Sequence, residues 1–119
     1  TNTAAPNEPE NDERVIAIAT EGGFDFQLVV EKASEGPPPT ATVTLTVYEN
    51  GSIIDQALVD QPGSFFWFPL TGPEATCSFL TRADTGDIVI DVQLLLSPSL
   101  GCSDPIGFVL SGDTLQPIE

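Results

Sequence analysis

The chain reads as an all-β protein: an antiparallel β-sandwich, immunoglobulin-like or jelly-roll-like, of about eight short strands with one disulfide. Three observations predict this. Apolar and polar residues alternate with a period of two in one segment after another. Gly, Pro, Asn and Asp turn residues punctuate those segments at short intervals. No window carries the i, i+3, i+4, i+7 stripe of an amphipathic helix. A length of 119 residues suits one domain, and 40% hydrophobic content suffices to fill its core.

Residues 1–13, TNTAAPNEPENDE, are polar, acidic and aperiodic and read as a flexible arm. The remaining residues, 14–119, read as a single sandwich domain. Val15, Ile16, Ala17, Ile18, Ala19 and Thr20 have strand character and end at Gly22-Gly23. Phe24, Phe26, Leu28 and Val30 then alternate with Asp25, Gln27 and Glu31. Ser34 to Pro39 is a loop, because three consecutive prolines cannot donate to a sheet. Ala41, Val43, Leu45 and Val47 alternate with Thr42, Thr44, Thr46 and Tyr48, the cleanest half-buried strand. Asn50-Gly51 reads as a type I′ hairpin turn, and 53–60 as the return strand.

Gln61-Pro62-Gly63 turns the chain into the aromatic run Phe65-Phe66-Trp67-Phe68. As a strand, this run sends Phe65 and Trp67 to one face and Phe66 and Phe68 to the other. The segment 75–83 is a strand carrying Cys77, and 84–87 is another hairpin turn. The segment 88–96 is the most apolar strand. A loop pinned by Cys102 follows, and Phe108-Val109-Leu110 and Leu115 close the chain. Immunoglobulin domains show a Cys…Trp…Cys order. Here Trp67 precedes both cysteines, so that signature is absent.

Composition excludes much chemistry. There is no His, and three basic residues stand against eighteen acidic ones, a formal charge of -15. That removes His-based relays and imidazole metal ligands. It also removes any basic patch for nucleic acid. An acidic coat suits a salty medium, where screening relieves self-repulsion. The apolar runs are too short to span a bilayer, so no direct membrane insertion is expected. The chain opens on Thr1 without a signal-peptide core, which fits a mature form whose targeting segment has been removed. Cys77 and Cys102, the two cysteines, are expected to pair in an oxidising compartment, closing a loop of about 25 residues.

Candidate sites stand beside plainer readings. Asp84, Asp87 and Asp91 surround one hairpin and are the candidate calcium ligands, but the EF-hand pattern is missing and turn chemistry accounts for them. No metal or cofactor is expected. Asp25 with Glu31, or Asp55 with Asp60, are the carboxylate pairs for a glycosidase reading, with nothing to mark a raised pKa. Ser64 and Ser78 lack a base, and G-x-S-x-G is absent. Asn50-Gly51-Ser52 is a glycosylation sequon, although the turn itself calls for Asn-Gly. The two-faced aromatic run 65–68 could serve a subunit contact or stack on a sugar.

Residues 14–21 could be donated to a neighbouring sheet, where backbone hydrogen bonds give affinity and alternate side chains give register. The function expected is therefore non-enzymatic. It is that of a secreted repeating subunit of an extracellular filament or surface assembly, homo-oligomeric through its N-terminal strand. The alternative is a monomeric cell-surface binding module for glycan or calcium, tethered by the arm.

Overall fold

The computed structural model describes residues 13–71, 76–97 and 99–118. Of the expected arm, residues 1–13, only Glu13 is described, and residues 1–12 lie outside the described residues. The chain folds into two antiparallel sheets packed face to face. The first contains β1 (Glu13–Glu21), β2 (Phe24–Ser34), β3 (Thr40–Glu49) and β4 (Ser52–Leu58), with β5 (Phe65–Phe66) beside β3. A single helical turn, α1 (Trp67–Leu70), follows. The second sheet contains β6 (Thr76–Asp84), β7 (Asp87–Ser97), β9 (Ile106–Ser111) and β10 (Thr114–Pro117), with β8 (Gly101–Cys102) beside β7.

The strand orders are β1-β2-β3-β4 and β10-β9-β7-β6. Each sheet is thus a meander, and the chain crosses between sheets once, after β5. Immunoglobulin and jelly-roll sandwiches instead use Greek-key connections. The sandwich class is as expected; its connectivity is that of two successive meanders.

Turn chemistry sets the hairpin registers. Glu21 pairs with Phe24 around Gly22-Gly23, Glu49 with Ser52 around Asn50-Gly51, and Asp84 with Asp87 around Thr85-Gly86. Both central residues of each turn have positive φ, the type I′ form that matches strand twist. Gln61-Pro62-Gly63-Ser64 is a type II turn: Ser64 N donates to Gln61 O at 3.2 Å, and Gly63 takes φ 75.

Alternation fills the core. Phe26, Leu28 and Val30 of β2 face inward with Ala41, Val43, Leu45 and Val47 of β3. They meet Ile88, Ile90, Val92 and Leu94 of β7 and Phe108 and Leu110 of β9. Burying side chains of this size contributes about 1.5–3 kcal/mol each.

The two open sides of the sandwich differ. On one, β4 and β10 are stitched together: the Asp55 carboxylate accepts a hydrogen bond from Leu115 N at 2.6 Å. On the other, β1 lies alongside β6.

Candidate functional site

The expected disulfide is present: Cys77 on β6 is bonded to Cys102 on β8. β8 continues the edge of β7 that β9 occupies, as Ser103 N donating to Leu94 O shows. β6 occupies the other edge, so the bridge passes across the end of β7. Strands two places apart stand about 9.6 Å apart in a regular sheet. Bulges at Thr76/Ser78 and Leu95/Ser97 draw the two Cα atoms to 6.2 Å. The bridge suits an oxidising environment.

The carboxylates do not converge. Asp25 and Glu31 project from the same face of β2 six residues apart, about 20 Å along the strand. Glycoside hydrolysis needs a separation of about 5–9.5 Å. Asp55 is committed to Leu115 N and also accepts from Gln56 N. Asp84 and Asp87 flank the Thr85-Gly86 turn, and Asp91 lies further along β7, about 13 Å from Asp87. Among the described residues, no group of three or more His, Cys, Asp or Glu side chains is placed to hold a metal ion. Asn50 stands exposed at a hairpin tip with φ 54. Among the described residues, no helix is long and apolar enough to cross a membrane.

The aromatic run keeps the expected alternation but not the expected backbone. Phe65 and Trp67 enter the core, Trp67 at 5% exposure; Phe66 and Phe68 are 40% and 67% exposed. The strand ends at Phe66 because Pro69 has no ladder donor. A helical turn accepts Pro69, since the first N–H groups of a helix need no intrahelical partner. Trp67 N donates to Pro39 O at 3.0 Å, and Thr71 N to Trp67 O at 3.1 Å. Lys32 Nζ lies 5.4 Å from the indole centroid and 3.5 Å from the Glu35 carboxylate. Trp67 is therefore not an exposed sugar-stacking platform.

Within the single chain, the segment 14–21 forms a hairpin with β2, from Arg14 opposite Val30 to Glu21 opposite Phe24. The Gly22-Gly23 turn makes this local pairing direct. A bulge at Ile16 also breaks the period of two. Ala17 and Ala19 lie opposite core residues Leu28 and Phe26, and Ile16 packs against the core with Ala17. Val15 and Ile18, opposite Val29 and Gln27, share the outer face of the sheet.

β1 still has one unpaired edge. In a two-residue hairpin the flanking pair exchanges both hydrogen bonds. Counting back from Glu21, the N–H groups of Thr20 and Ile18 point away from β2.

That outer face is a feature sequence reasoning missed. Following the register outward from the core, it carries Val15 and Ile18 of β1, Gln27 and Val29 of β2, and the threonines and Tyr48 of β3. Ile53, Gln56 and Leu58 of β4 and Phe66 of β5 complete it. A shallow groove of about 490 Å³ runs across it, between Val15 and Ile53. The available signal was the polar half of the β3 alternation, which is Thr, Thr, Thr and Tyr rather than charged. No known family, characterised protein or solved structure matches the chain.

Proposed function

We propose that the chain is a non-enzymatic, secreted subunit of an extracellular filament or surface assembly, joined through its N-terminal strand. The observation that carries this reading is the unpaired edge of β1, flanked by exposed Val15 and Ile18. An exposed edge is a template for strand addition. In this form β1 stays in its own sheet and adds, by its free edge, to the β4 edge of the next copy.

The geometry suits repetition. Four antiparallel strands abreast place β1 and β4 in opposite directions, so simple translation sets β1 of one copy antiparallel to β4 of the next. Such a contact is heterologous and does not close on itself. Each copy would advance the sheet by about 19 Å and, at about 20–25° of twist per strand, rotate it by about 90°. Self-repulsion at a charge of -15 opposes growth, so assembly should require salt.

The test is negative-stain imaging and sedimentation of the full chain in low salt and in about 1 M salt, where the screening length falls to ~3 Å. Filaments in high salt are expected. Thr20→Pro removes an outward N–H without touching the β2 ladder and should abolish growth; Thr20→Ala should not. Filaments that persist in Thr20→Pro would refute joining by this edge.

A further inference from the structure

We infer that the β3–β4–β5 half of the first sheet's outer face is a self-association surface, pairing two copies face to face across a two-fold axis. This rests on the assembly reading above and adds a second, lateral contact to it.

The first argument is charge. The outward residues of β3, β4 and β5 are Thr40, Thr42, Thr44, Thr46, Tyr48, Ile53, Gln56, Leu58 and Phe66, and none is charged. The charges on the same face, Glu13, Asp25 and Glu31, all stand on β1 and β2. In a chain of charge -15, two copies can meet at this patch without opposing like charges directly. An isologous contact places the patch against itself, so the neutrality of one side guarantees that of the other.

The second argument is hydrogen bonding. The hydroxyls of this face are largely satisfied within the chain. Thr40 Oγ1 pairs with Ser34 Oγ at 2.8 Å, Thr42 Oγ1 accepts from Gly63 N at 3.0 Å, and Thr46 Oγ1 accepts from Gln56 Nε2 at 3.2 Å. Burying these three leaves their bonds intact; the hydroxyls of Thr44 and Tyr48 have no partner among the described residues and must be matched by the facing copy. The apolar content is already exposed: Ile53 is 53%, Leu58 49% and Phe66 40% accessible. Solvent-facing apolar residues gathered on one face mark an interaction site more than scattered ones do.

The third argument is area. β3 has ten residues, so it is about 34 Å long. β4 and β5 occupy the same edge of β3 in turn, so the patch is two strands, about 10 Å, wide. Each copy would cover roughly 330 Å², or about 650 Å² in total, the size of a weak, transient contact. The pairing should therefore depend on concentration, and salt should strengthen it.

Sedimentation velocity on the full chain separates this surface from the β1 edge. Thr20→Pro should stop at a dimer in high salt, because the lateral contact survives. Ile53→Asp with Leu58→Asp should still form filaments, but with half the mass per length. Combining all three substitutions should give a monomer, with the dimer dissociation constant raised at least about tenfold, equivalent to 1.4 kcal/mol. Both aspartates replace exposed residues, and a cooperative thermal transition with buried Trp67 fluorescence would verify folding of every variant.

A Thr20→Pro protein that is monomeric beside a filamentous wild type would overturn the lateral contact and leave the edge reading intact. A wild type that stops at dimers dissociated by the aspartate pair would do the reverse. A wild type monomeric at all concentrations and salts overturns both. If that monomer instead binds a neutral polysaccharide, and the aspartate pair abolishes binding, the face belongs to a sugar and the self-association proposal fails.

Discussion

On the outer side of the first sheet, β3 and β4 present Thr44, Thr46, Tyr48, Ile53, Gln56 and Leu58; on the outer side of the second, β6 and β7 present Leu80, Arg82, Asp84, Asp87, Val89 and Asp91. Inward, the same strands are alike: Val43 and Leu45 face the core as Ile90 and Val92 do. Alternation therefore determines what is buried, and the outward half of each pattern is free to diverge. The second sheet spends that freedom on charge. The first retains β-branched and apolar groups, with the hydroxyls of Thr40, Thr42 and Thr46 bonded within the chain. The β3–β4 half of the first sheet's outer face stays neutral in so acidic a chain, while Glu13, Asp25 and Glu31 stand on its β1–β2 half.

The sheets also differ in how they are secured. Both are built from antiparallel ladders; only the second is also crosslinked, by the Cys77–Cys102 bridge across the end of β7. The largest expected effects test whether they nonetheless form one cooperative unit. Leu28→Ala in the first sheet and Leu94→Ala in the second each truncate a fully buried side chain and should cost about 2–5 kcal/mol. Denaturant unfolding should keep one transition, shifted by either substitution. Two separated transitions would show that the sheets are independent units.

Removing the bridge with Cys77→Ser and Cys102→Ser should cost about 3 kcal/mol by the loop-entropy estimate. Hydrogen exchange should localise the extra opening to β8 and the adjoining ends of β6 and β7. Equal loss of protection throughout β2 and β3 would contradict a role confined to the second sheet.

The cross-sheet stitch comes next. Asp55→Ala leaves Leu115 N without its acceptor and should cost about 1–3 kcal/mol, with Asp55→Asn restoring part of it. No change on Asp55→Ala would mean that β4 and β10 are held by packing alone. The smallest effect is at a turn: Gly51, at φ 85 with open space around it, should cost about 1–2 kcal/mol as Ala, through backbone strain alone.

Much of this architecture was legible in the residues. Asn50-Gly51 and Gly22-Gly23 announce tight hairpins because few other pairs tolerate two positive φ values. Thr42 to Tyr48 gives its two faces directly. The two cysteines, without histidine, left a disulfide as the simplest pairing.

What the residues did not disclose depends on contacts distant in sequence. The bulge at Ile16 shifts the register within β1, so a strict period of two assigns Ile16 and Ile18 to one face where the structure separates them. Pro69 ends the aromatic strand, but the helical turn that follows is fixed by Pro39, nearly thirty residues earlier. The sheet order and the Asp55–Leu115 stitch have no local signal. The neutral face appears only when β3, β4 and β5 are brought side by side.

Hydroxyl-radical footprinting across the salt-induced assembly tests the central claim most directly, because it reads both outer faces in one sample. Tyr48, Ile53 and Leu58 stand on the neutral face, and exposed Leu80 stands on the charged one. The account predicts that the first three lose reactivity as the chain assembles while Leu80 keeps its own. Protection of Leu80, with Tyr48, Ile53 and Leu58 unchanged, would contradict it.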